Sequence, residues 1–278
     1  MTAQPSGKIG IFDSGYGGLT ILRQIRQHIP QYDFLYLGDN ARAPYGPRSF
    51  EVVYNYTLQA VNALFERGCE LVILACNTAS AKALRTIQKN DLKRLSSSKR
   101  VLGVIRPTVE CIGDITRSRH VGLLATPGTV NSHSYELEIK KLYPDICLTS
   151  VACPMWVALV EYGEFDSPGA DYFIQKRIDT VMQKDPEVDT LILGCTHFPL
   201  LMEKITKYTP PGVRIVSQGE YVAKSLVNYL QKHPEIDNRC TKNGSYNFLT
   251  TENAESFCQT ANIFLWEKIS CVEKIELS

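Results

Sequence analysis

Short apolar runs alternate with helical periods along this chain, and that rhythm restricts the fold more than any other feature. KIGIF (8–12), DFLYLG (33–38), ELVILA (70–75), RHVGLLA (119–125) and VDTLILG (188–194) have the length and aliphatic content of buried strands. Between them Leu19, Leu22, Ile25 and Ile29 recur at helical spacing, as do Val53, Tyr56, Ala60, Leu64 and Phe65. Each set lays one apolar stripe along a helix. Strand, helix, strand in repetition predicts an α/β fold of mostly parallel sheets flanked by helices.

An internal repeat divides this rhythm in two. ELVILACNTASA (70–81) aligns with DTLILGCTHFPL (189–200), which sets Cys76 on Cys195 at an offset of 119 residues. IGIFDSGYGG (9–18) is echoed by VGLLATPGTV (121–130) in the same chain order. The expectation is two similar domains related by a pseudo-twofold axis, with the active site in the cleft between them. The polar stretch NDLKRLSSSKR (90–100) and the turn KYTPPG (207–212) mark the expected crossings. The first domain is then 1–98 plus 209–278, with Asp13 and Cys76, and the second is 99–208, with Cys195 and His197. The tail rejoins the first domain through the strand-like SYNFLTT and a helix bearing Phe257, Ala261, Phe264 and Leu265.

At 278 residues the chain can bury two cores. Its 30 basic and 29 acidic side chains exclude the charge excess of a nucleic-acid binder, so the expected partner is a small molecule and not nucleic acid. MTAQPSGK has no signal-peptide core, and no apolar run approaches the ~20 residues of a membrane span. The reading is cytoplasmic, with no membrane partner. Nine cysteines without dense spacing or a CxxC pair read as reduced thiols.

A buried parallel strand delivers whatever follows it to the carboxyl edge of the sheet, where open α/β folds collect ligands. Cys195, Thr196 and His197 follow one such strand, and Cys76, Asn77 and Thr78 follow another. In FDSGYGGLTIL (12–22) a strand ends on Asp13, Ser14 and a glycine-rich turn into a helix, whose free N–H groups suit an anion. It matches neither the dinucleotide fingerprint nor a Walker loop. GDNARAPYG (38–46) brings Tyr45 and Gly46 to the same edge.

Two opposed thiols, one ionised and one protonated, make a base and an acid on the two faces of a substrate carbon. That points first to proton transfer at a stereocentre. A Cys195–His197 nucleophile and base, as in a thiol hydrolase, comes second and leaves Cys76 idle. A metal site drawing on Cys76, Cys195 and His197 comes third, because it lacks a fourth ligand and close ligand spacing. No metal ligand is expected.

The motifs FDSGYGGLTIL, LGDNARAPYG, LACNTASA, GVIRP, TPGTVNS and LGCTHFPLL, in that order, make the chain similar to the cofactor-independent glutamate racemases of the aspartate/glutamate racemase superfamily. The resemblance implies interconversion of L- and D-glutamate without a cofactor, in a cytoplasmic homodimer that supplies D-glutamate for peptidoglycan. It implies that Cys76 acts on the D-isomer and Cys195 on the L-isomer, with Asp13 assisting Cys76 and His197 assisting Cys195. Ser14, Tyr45, Gly46, Asn77, Thr78 and Thr196, together with Asp13 and His197, are the implied substrate contacts. Two places depart from the pattern: SQG at 217–219 replaces an Asp-Ser type sequence, and Ala158 stands where a proline is common. The other thiols, Cys147 among them, read as structural, and His28, His120, His133 and His233 as surface or loop residues.

Overall fold

The computed structural model describes residues 7–96, 98–269 and 271–278; the leader, at residues 1–6, lies outside the described residues. The first sheet contains β1 (Lys8–Asp13), β2 (Phe34–Gly38), β3 (Cys69–Leu74), β4 (Arg100–Gly103), β9 (Tyr246–Thr250) and β10 (Val272–Lys274). The second contains β5 (His120–Ala125), β6 (Cys147–Ala152), β7 (Thr190–Gly194) and β8 (Arg214–Val216). Their orders are β10-β9-β2-β1-β3-β4 and β6-β5-β7-β8. Among the described residues all the strand pairings are parallel.

The four strands β2-β1-β3-β4 repeat in the order β6-β5-β7-β8. The sequence repeat is therefore a topological repeat, with β3 and β7 as counterparts. In both sheets the chain first steps to one side and then returns to the other, which creates a switch point between β1 and β3 and between β5 and β7. Every residue of β2 and of β7 is buried, so these strands read as continuous apolar runs because helices cover both faces.

Helix starts are written locally. Ser49 accepts from the Val52 N–H ahead of helix Phe50–Glu66, and Ser167 accepts from the Ala170 N–H ahead of helix Pro168–Lys184. Helix Leu19–His28 buries Leu19, Leu22 and Ile25 and packs on helix Gly219–Lys232. The tail is tied to β2 by Asp33, whose carboxylate accepts from Ser245 N (2.8 Å), Ser245 Oγ (2.7 Å) and Asn243 Nδ2 (2.7 Å).

The chain changes sheets later than composition indicates. β4, at 100–103, pairs with β3 and so belongs to the first sheet, whereas β8, at 214–216, pairs with β7 in the second. The strands that follow 98/99 and 208/209 thus pair with the sheet that precedes each of those points. Within the polar stretch, Leu92–Leu95 is a helix end and Arg100 already opens β4, and TPPG is the turn that leads into β8. Polarity there reports solvent exposure, and turn residues report a reversal; neither reports which sheet the next strand joins. No described helix is long and apolar enough to cross a membrane.

Candidate active site

The carboxyl ends of β1, β3, β5 and β7 converge on one small, closely lined cavity. Cys76 and Cys195, from corresponding places in the two sheets, both line it, each only 6% exposed. This brings the two thiols to one space from opposite halves of the molecule. A larger cleft bordered by Arg85, Arg106 and Glu138 contains no cysteine, and its charges are consumed among themselves: Arg85 and Lys141 pair with Glu138, and Arg106 pairs with Glu110.

Cys76 precedes helix Asn77–Lys82, and its Sγ lies 3.4 Å from Ser14 Oγ and accepts from the Ala79 N–H at 3.5 Å. Burial first, and then the charge of Asp13, push this thiol up to about 12. Asp13 is itself fully buried at the tip of β1. It accepts from the Gly15 N–H (3.0 Å) and, across the cleft, from Thr196 Oγ1 (3.3 Å). Burial raises its carboxyl above the usual range, against the opposing pull of His197 and these donors. Ser14, rather than Asp13, supplies the hydrogen bond at Cys76.

On the facing side, Cys195 Sγ stands 3.9 Å from His197 Nδ1, and His197 Nε2 donates to Glu161 Oε1 at 3.0 Å. Burial alone would lower the imidazole, but its hydrogen bonds to Cys195 and Glu161 outweigh that and raise it to about 10. The result is an imidazolium held beside the thiol by a carboxylate on its far side. Phe264, from helix Ala254–Leu265, meets the His197 ring edge-on at 5.7 Å.

The remaining expected residues divide into those that face the cavity and those whose polar groups are engaged elsewhere. Thr78 lines the cavity and shares a hydrogen bond with Thr126 (2.9 Å), so the two halves meet here too. Tyr45 lends its ring, while its hydroxyl donates to Asp39. Gly46 packs against Thr126, and Thr196 holds Asp13. Asn77 borders the cavity, but its amide is turned to Gln218: Nδ2 donates to Gln218 Oε1 (2.6 Å), and Oδ1 accepts from Tyr135 Oη (2.8 Å). Gly17 lies hard against the facing half, since a Cβ there would lie 2.3 Å from Thr196 Oγ1 and 2.5 Å from His197 Nδ1.

Three contributors escaped sequence reasoning. Glu161 ends a helix in PMWVALVE, where nothing local distinguishes it from a solvated glutamate. Thr126 lies in the quoted TPGTVNS, at the same strand end as the Asp13 turn in the other half, and the internal repeat could have found it. Gln218 falls in the SQG departure; it is 2% exposed and also donates to Thr108 Oγ1 and Tyr135 Oη, both at 2.8 Å.

Comparison with known proteins bears on the family and the fold. Residues 19–226 match the Asp/Glu/Hydantoin racemase family. A glutamate racemase from Ruegeria sp. (strain TM1040) is 40% identical over 272 residues, covering 94% of this chain and 98% of that relative. The crystal structure of a glutamate racemase isoform from Bacillus anthracis superposes with a TM-score of 0.89 at 33% identity, covering 99% of both chains. One from Francisella tularensis, in complex with D-glutamate, superposes with a TM-score of 0.86 at 30% identity, covering 98% of both. With matching topology, the family's sequence pattern across most of its length and relatives this similar, the chain belongs to the Asp/Glu/Hydantoin racemase family.

Proposed function

We propose that this chain is a glutamate racemase that exchanges the α-proton of glutamate between two cysteines. The observation that carries the reading is that Cys76 and Cys195 reach one cavity from equivalent strand ends of two sheets. A base on one face of Cα takes the proton as a thiolate, and the thiol on the other face returns one. Inversion follows because the two groups lie on opposite sides, and the roles exchange in the reverse direction. Cys76 serves the D-isomer and Cys195 the L-isomer.

The surrounding groups divide the work. The His197–Glu161 pair places a cation next to Cys195, while Ser14 and the Ala79 N–H attend Cys76, with Asp13 between the halves. As the proton leaves, negative charge grows on the α-carboxylate, so N–H and hydroxyl donors directed there stabilise the transition state more than the ground state. Thr78, Thr196, Ser14 and the Asn77 turn are the substrate's partners in this reading, and Tyr45 and Gly46 shape its wall. The side chains supply both proton-transfer groups, and no resident cofactor is invoked. The two sheets with their helices are taken as two domains, joined after β4 and after β8. Placement in the cytoplasm, a homodimeric assembly and delivery of D-glutamate to peptidoglycan complete the proposal.

The test follows the circular dichroism of L-glutamate, and separately of L-aspartate, with purified protein and a reductant. The glutamate signal decays to zero and solvent deuterium enters Cα; decay of aspartate alone would move the specificity, and silence on both would defeat the reading. Cys76→Ser and Cys195→Ser each keep the fold and abolish turnover, because a hydroxyl is a far weaker acid than a thiol. Near-normal turnover in either variant rules out the two-thiol mechanism.

A further inference from the structure

The second sheet carries a cluster of chemically capable side chains that the cavity does not use. His120 opens β5, Cys147 opens β6 and Asp185 follows helix Pro168–Lys184. They meet at the amino edge of the sheet, a strand length of roughly 17 Å from the carboxyl edge where Cys195 lies. One ligand atom from each of the three lies within 4.8 Å of the other two. His120 Nδ1 stands 2.9 and 3.0 Å from the two carboxylate oxygens of Asp185, and its Nε2 stands 3.2 Å from Glu187 Oε2. Asp185 is buried and held by the Glu187 N–H (3.2 Å) and Thr149 Oγ1 (3.3 Å), whereas Cys147 is exposed.

We propose that His120, Cys147 and Asp185 form a binding site for a divalent cation of the zinc class. A thiol, an imidazole and a single carboxylate form the mixed set that zinc accepts, while magnesium and calcium take oxygen ligands. Tetrahedral zinc with bonds of about 2.0–2.3 Å sets its ligand atoms roughly 3.3–3.8 Å apart. The 2.9 Å between His120 and Asp185 and the 4.8 Å limit on the other separations lie on either side of that range. Donation of the other ring N–H to Glu187 is the outer contact by which a carboxylate orients a metal-bound imidazole. The fourth position opens to solvent beside Cys147 and takes water. Binding displaces two protons to solvent, that of the Cys147 thiol and the Nδ1 proton by which His120 bonds Asp185, and forms metal–sulfur, metal–nitrogen and metal–oxygen bonds in their place. The ion ties the starts of β5 and β6 to the end of helix Pro168–Lys184, and it takes no part in proton transfer at the cavity.

The experiment uses chelator-treated, full-length protein in a phosphine reductant. It is titrated with Co²⁺, whose thiolate charge-transfer absorption reports a metal–sulfur bond, and then with Zn²⁺ as competitor. Wild type gives a saturable band at a single equivalent, displaced by Zn²⁺, and its melting temperature rises with Zn²⁺. Cys147→Ser removes the band and the thermal shift, and His120→Gln weakens binding at least tenfold. Because Cys147 is exposed, its serine variant keeps the wild-type dichroism and melting point without metal. An undiminished band in Cys147→Ser, or no band in wild type, overturns the assignment.

Discussion

Glu161 is 24% exposed by side chain, yet its contact with His197 controls the charge on a buried ring. Because His197 is raised to about 10 from an ordinary 6.5, its proton stabilises the fold fully below pH 6.5, and that stabilisation is lost as pH climbs through about 10. Glu161→Gln removes a carboxylate that favours the imidazolium. The variant's melting temperature therefore falls less steeply than wild type's between pH 6.5 and 10, and the alkaline decline of its kcat/KM starts at lower pH. Because the two enantiomers have equal free energy in water, kcat/KM must fall by the same factor in both directions; only kcat and KM separately can become asymmetric. A pH profile identical to wild type's would show that Glu161 does not set the charge of His197. The cysteines and His197 were legible as residues because strand ends announce them, whereas Glu161 acts through space from a helix end with no local signature.

At the scale of elements, Gln218 joins four helices. It precedes helix Gly219–Lys232 and bonds to Asn77, Thr108 and Tyr135, which belong to helices Asn77–Lys82, Ile105–Ile115 and Ser134–Leu142. Gln218→Leu leaves the Asn77 amide and the Thr108 and Tyr135 hydroxyls short of partners, at about 1–3 kcal/mol for each group that stays unsatisfied. Denaturant unfolding should show that loss. Asn77, next to Cys76, then loses its anchor, so kcat drops as well; unchanged stability and kcat together would mean that water replaces the amide. The sequence made the strands and amphipathic helices plain because burial imposes their periods. It could only mark SQG as unusual, since a buried amide network depends on contacts 83 to 141 residues apart in the chain.

For the whole molecule, the repeat predicted two facing halves, and the shared strand order gives that repeat its structural meaning. Which sheet β4 and β8 join was not legible, because composition records exposure and turns, while sheet membership is decided by pairing between distant strands. This architecture also bears on ligand linkage. Asp13 and Cys76 come from one sheet and Cys195 and His197 from the other, so under the proposed function a bound substrate is expected to contact both halves and stabilise them together. D-Glutamate at 100 times its dissociation constant should add about 2.7 kcal/mol to unfolding. Calorimetry on Cys76→Ser, which blocks turnover while leaving the cavity nearly the same size, should show one transition that moves upward as a unit. A ligand confined to one half would instead split the transition, raising one part and leaving the other in place. Gly17→Ala supplies the complementary arm: its methyl meets Thr196 and His197 where the halves touch, so the cleft must widen and the ligand-induced shift must shrink. An undiminished shift in Gly17→Ala would mean that the close approach of the halves is not part of the binding geometry.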